Sequence, residues 1–274
     1  MKHIGCYILS MVFAFPVLCA NSVNRQERVY ADGFNGASYV GSLTVEITYS
    51  HKDDQDLEIK GGLPNYYNQT THVNTCANVA GAITLGYYDG EYDNLIPNFS
   101  AKRVILDRVI YTAQNQEVQN VINELYERMG TNTDGEGTTA RGFRDGLQDY
   151  VEEKGCHISY SAVVANETLN IPAFKQSIND EKPVVLFVSR YNLVSLLGIQ
   201  GSSTEDRFTM LTYEGNHVLI AYGIREIVYY NDSGNVVEEL TLLQVATGYQ
   251  QEQFAYVVLD SRMQIFEGYQ IEIS

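Results

Sequence analysis

Between residues 76 and 155 apolar positions recur at helical spacing, and beyond residue 156 they alternate or form short continuous runs, so helices are expected first and strands afterwards. The first helix is expected over 76–88, where Ala77, Ala80, Gly81, Ala82 and Gly86 suit tight packing. A second is expected over 118–129, with Val118, Val121, Ile122, Leu125 and Met129 on one face. A third spans 138–155 and ends at Gly155, with the turn-rich TNTDGEG as the connector between the two. Then come HISYSAVV, a short helix near 171–179, KPVVLFVS, RFTMLTY, HVLIAYGI, EIVYYN, ELTLLQVA, QFAYVVLD and QIFEGYQIEI. HVLIAYGI and EIVYYN read as two arms of a hairpin. Helices segregated from strands predict an α+β fold with an antiparallel sheet rather than a doubly wound parallel one.

The N-terminal region is different in character. Residues 1–20, with Lys2 followed by an apolar stretch and then Pro16 and small residues, read as a secretory signal peptide cleaved after Cys19 or Ala20. Secretion is therefore expected, and no later segment is apolar enough to span a membrane. Residues 21–60 read as an extension, either an inhibitory pro-segment or an extra strand: the strand-like SLTVEITYS, then polar HKDDQD, then the turn GGLP. The main domain is expected over 61–274.

Charge narrows the partners. Eighteen basic against thirty-four acidic side chains give a net charge of −16, which repels phosphate backbones and anionic membrane surfaces. A nucleic-acid partner is thus not expected, and a peptide or protein substrate is. Loss of the leader leaves Cys76 and Cys156, which could pair in an oxidising compartment. No HExxH pattern, CxxC pair or glycine-rich phosphate loop occurs, so neither metal nor cofactor is expected.

Cys76 stands where an Asn- and Thr-rich loop gives way to the first expected helix. Unpaired N–H groups and the dipole at a helix N-terminus stabilise a thiolate, so this cysteine is a candidate nucleophile. It needs a base. His51 lies in a polar loop, His72 on the incoming loop and His157 beside Cys156, whereas His217 begins the apolar strand HVLIAYGI and is the best placed. If that strand and EIVYYN pair as a hairpin, Asn231 returns near His217 as the orienting acceptor, with Asp232 the adjacent alternative. Gln69 or Asn68, just upstream of Cys76, is a candidate oxyanion donor.

These features resemble papain-like cysteine peptidases, in particular the branch containing bacteriocin-processing peptidases and related secreted bacterial proteins. The resemblance rests on LPNYYNQ, NTCANVAGAITLGYYDGEYDNLIPNF, GTTARGFRDGLQDYVEEKG, KPVVLFVS and GNHVLIAYGI, within residues 63–231. His217 and Asn231 follow Cys76 in the papain order; against the family spacing of about 130–150 residues the histidine fits and the asparagine runs slightly long. The resemblance implies a helical lobe carrying the thiol and an antiparallel β lobe carrying the base. It implies Cys76 as nucleophile, His217 as base and then acid, Asn231 as orienting residue, and Gln69 as oxyanion donor with Asn68 and Asn74 as alternatives. The flanking residues depart from the family pattern: Ala77 and Asn78 follow the cysteine where many relatives have Gly and then Pro-Thr, and Asn216 separates Gly215 from His217. The expected activity is peptide hydrolysis through an acyl-enzyme. A non-catalytic binding or adhesion module on the same scaffold, and amidase or acyl-transfer chemistry at the same site, are the alternatives.

Overall fold

A computed structural model describes residues 36–274 apart from positions 93 and 134, so the expected leader over 1–20 lies outside the described residues. In chain order the elements are β1 (Ser38–Thr48), β2 (His51–Glu58), α1 (Cys76–Tyr88), β3 (Lys102–Ile105), β4 (Arg108–Tyr111), α2 (Gln116–Arg128) and α3 (Ala140–Glu153). There follow β5 (Ile158–Ala162), β6 (Val164–Ala165), β7 (Thr168–Leu169), α4 (Ile171–Asn179), β8 (Val184–Ser195) and β9 (Gln200–Gly201). The chain ends with β10 (Glu205–Tyr230), β11 (Val236–Ala246), β12 (Phe254–Val258) and β13 (Gln264–Ile273).

The expected α+β, papain-like division into a helical lobe and a β lobe does not form. Strands hold 43% of the described residues and helices 21%, and the architecture is one large antiparallel sheet with few helices. That sheet has nine strands, and β3–β4 and β6–β7 are separate two-stranded ribbons. The physical reason lies in α1. Its small-residue composition leaves no polar face, and all thirteen of its residues are buried. It packs against α2, α3 and β10, so helices and sheet share one hydrophobic core.

The helices pack closely because glycines remove side chains at their contacts. A Cβ on Gly81 would stand 2.9 Å from Leu125 of α2, and one on Gly146 of α3 would stand 2.7 Å from the Arg128 backbone. Side-chain caps fix where α2, α3 and α4 begin: Asn115 accepts from the Glu117 N–H, Thr139 from the Gly142 N–H, and Asn170 from the Ala173 N–H.

The longest strand overturns the expected hairpin. RFTMLTY, HVLIAYGI and EIVYY are one continuous strand, β10, of 26 residues that ends before Asn231. Gly215 and Gly223 bend it without turning it, and the register slips beside each, between Tyr213 and Asn216 against β8 and between Ala221 and Gly223 against β11. The bending is large. β1 pairs with residues 205–214 and β2 with residues 223–230, and at the junction the Tyr49 N–H reaches the Thr204 carbonyl while the Ser50 N–H reaches that of Tyr230. The two ends of β10 therefore meet. Pairing of β10 with β11, β11 with β12, β12 with β8 and β8 with β10 closes a ring.

A second, smaller core forms where the ends of β10 meet, from Ile47, Phe208, Ile227, Leu242 and their neighbours. Within it the Asp206 carboxylate has no solvent exposure. Lys52 Nζ at 2.5 Å, the Tyr229 hydroxyl at 2.9 Å and the Tyr49 hydroxyl at 3.2 Å supply its donors. A carboxylate removed from water is tolerable only with such compensation. It ties the β1–β2 connection and both ends of β10 together.

Candidate functional site

Cys76 is the first residue of α1. The preceding Thr75 makes no side-chain cap, which leaves the first-turn N–H groups to other partners. Backbone N–H groups of Val218, Ala77 and Gly36, with that of Cys76 itself, lie around the sulfur. They favour the thiolate, but burial outweighs them and pushes the thiol up to about 11. Cys76 is only 9% exposed. At neutral pH the sulfur is therefore protonated.

His217 lies one residue from Val218 on β10 and is likewise buried. Its Nε2 stands 2.8 Å from the Thr247 carbonyl oxygen. A carbonyl can only accept, so Nε2 carries the proton and Nδ1 keeps its lone pair. Nδ1 is buried without a hydrogen-bond partner. Burial lowers the imidazole to about 4, partly offset by the Thr247 carbonyl, so His217 is neutral.

Two tyrosines flank the imidazole. Tyr249 stacks on the His217 ring at 4.5 Å with 10° between planes, and Tyr191 lies at 6.0 Å and 23°. Their hydroxyls are 2.7 Å apart. Burial raises both phenols, and the nearby Cys76 sulfur adds to the rise in each, which places thiol, imidazole and phenols in one neighbourhood.

The remaining expected site residues are elsewhere engaged. Asn231 sits beyond the end of β10, and its Oδ1 accepts the N–H groups of Ser233 and Asn235 in the β10–β11 turn. Continuous strand separates it from His217, so the acceptor that orients the imidazole is the Thr247 carbonyl and neither Asn231 nor Asp232. Gln69 turns its amide to the Tyr67 hydroxyl at 2.7 Å. Asn68 closes a turn by accepting the Thr70 N–H and hydroxyl, and Asn74 donates to Asn132. The donors gathered at the sulfur are backbone N–H groups.

His72 stacks on Tyr126 and His51 on Tyr230, and the backbone of His157 pairs with Ser274. Neither Cys76 nor Cys156 is in a disulfide. Sequence reasoning missed Thr247, Tyr191, Tyr249 and Gly36. A backbone carbonyl or N–H leaves no mark on residue type, and two tyrosines among 21 do not stand out.

No protein-family model matches this chain, and comparison with curated proteins finds none similar to it. Among the described residues no helix is long and apolar enough to cross a membrane, and no group of three or more His, Cys, Asp and Glu could hold a metal ion.

Proposed function

We propose that this protein is a thiol hydrolase that cleaves peptide bonds with Cys76 as nucleophile and His217 as base. The observation that carries the reading is the neutral imidazole, whose proton-bearing Nε2 is fixed on the Thr247 carbonyl and whose Nδ1 is buried without a partner, flanked by two tyrosines that also feel the Cys76 sulfur. A base nitrogen held in one tautomer and within reach of a thiol is what acyl transfer requires.

In the reaction Nδ1 takes the thiol proton as sulfur attacks the peptide carbonyl carbon. The resulting oxyanion is held by backbone N–H groups at the first turn of α1. The C–N bond then breaks as the imidazolium returns its proton to the leaving amine, giving a thioester. Water, deprotonated by Nδ1, cleaves the thioester to a carboxylate and restores the thiol. Amide hydrolysis and acyl transfer to an amine use the same steps and differ only in the acceptor.

A second reading, a binding scaffold without turnover, is favoured by the thiol's resting value of about 11, well above that of a poised nucleophile. The two separate in one experiment. A mixed peptide library is incubated with the protein, Cys76→Ala and His217→Ala, and new chain ends are read by mass spectrometry. Cleavage by the wild type that is lost in both variants supports the hydrolase. Cleavage that survives Cys76→Ala, or none by the wild type once its site has been opened, refutes it.

A further inference from the structure

The chain's own N-terminal strand lies across the site. The Ala37 carbonyl accepts from the Tyr249 hydroxyl at 3.2 Å, and the Gly36 N–H is close enough to the Cys76 sulfur to favour its thiolate. From Ser38, opposite Glu214, the strand continues as β1 in antiparallel register with β10 as far as Thr48, opposite Glu205. Backbone reaches backbone closely here. Gly215 adopts φ +102°, and a Cβ on it would stand 3.3 Å from the Ala37 Cα and 3.5 Å from the Gly36 carbonyl oxygen.

The start of β1 is held by its ladder more than by its side chains. Tyr39, Val40 and Leu43 are each more than half exposed, and the pairing slips between Tyr39 and Gly41. What fixes the segment is main-chain hydrogen bonding plus two small residues passing between Gly215 and Tyr249. Recognition of this kind reads an extended backbone and the size of alternate side chains.

We propose that the substrate is an extended peptide with two consecutive small residues, which adds as a strand to residues 210–215 of β10 in the place now taken by Gly36–Leu43, so that this leading segment acts as a strap that must leave first. The inference rests on the hydrolase reading for cleavage, though not for binding. Departure of the strap uncovers the sulfur, removing part of the burial that holds the thiol protonated.

The test uses the full chain carrying Ala37→Trp, too large for the gap between Gly215 and Tyr249, and separately Gly36→Pro, which has no N–H and a φ incompatible with +92°. Circular dichroism and thermal melting establish that each variant folds. Alkylation of Cys76 by iodoacetamide at pH 8 is followed by peptide mass spectrometry. Labelling is expected to quicken about tenfold or more, because modification of a covered group follows the population of its open form. The synthetic peptide acetyl-GASYVGSL-amide, added to the Ala37→Trp protein, is expected to slow labelling again, and the same peptide with tyrosine in place of alanine is not. Unchanged labelling in folded variants overturns the strap, and failure of the GASYVGSL peptide to protect overturns strand addition. Fast, peptide-protected labelling without cleavage of any peptide refutes the hydrolase and leaves the binding inference standing.

Discussion

Burying His217 in its neutral form makes the fold sensitive to acid. The imidazole falls from 6.5 to about 4 on folding, with burial as the main cause and the Thr247 carbonyl opposing it. Between these values the unfolded chain binds a proton that the folded chain refuses, so the stability contributed by the neutral ring is complete above 6.5 and drains away as pH falls towards 4. For a single site with these values, moving from pH 8 to pH 5 costs about 2 kcal/mol. In a domain of this size that lowers Tm by roughly 4–8 °C. The perturbation is His217→Gln, which removes the titration. Urea denaturation followed by circular dichroism, run from pH 8 to pH 5 on both proteins, gives the difference in stability against pH, in which the titrations of all other groups cancel. The wild type is expected to lose about 2 kcal/mol more than the variant over this interval, with the divergence starting near pH 6.5. Parallel curves would refute the buried neutral imidazole and the tautomer assigned to it.

Cys76 gives the opposite sign at alkaline pH: its pKa rises from 9 to about 11 on folding, so the stability lost between pH 9 and 11 should be smaller in Cys76→Ala than in the wild type, by urea melts. Asp206→Ala leaves the Tyr229 hydroxyl without its acceptor and Lys52 without its close carboxylate, while Tyr49 keeps the Ser202 carbonyl, and should cost about 3 kcal/mol or more in denaturant unfolding. Gly146→Ala drives a methyl into the Arg128 backbone, and should cost about 1–3 kcal/mol. Asn231→Ala opens only the β10–β11 turn. It should lower stability by about 1 kcal/mol and leave any peptide cleavage unchanged; a loss of cleavage with the fold intact would return Asn231 to the site.

The sequence by itself determined the local elements whose pattern repeats at a fixed period. Helices expected at 76–88, 118–129, 138–155 and 171–179 stand at Cys76–Tyr88, Gln116–Arg128, Ala140–Glu153 and Ile171–Asn179, because apolar faces and terminal signals are written in consecutive residues. Cys76 and His217 stand out in the sequence, one from a helix start that the structure keeps and the other from an expected strand start that proves to be the middle of β10. β2 was not, since HKDDQDLE has no apolar alternation and is held by its ladder to β10, by Arg225 on Asp54 and by Lys52 on Asp206. The β3–β4 hairpin turns through Leu106 and Asp107, both at positive φ, rather than through the Asn-Gly pair that would announce it.

Tertiary structure alone decided that Gly215 and Gly223 bend one strand instead of ending two. A glycine allows either outcome, and pairing with β1, β2, β8 and β11 selects between them. That choice carried Asn231 far from His217 and gave the imidazole a backbone carbonyl as its acceptor. It also laid Gly36 and Ala37 over the thiol. These contacts join residues far apart in the chain, as Ser38 with Glu214 and Gly36 with Cys76, through main-chain atoms that every residue type possesses. They arise from how the sheet closes and have no signature in the order of side chains.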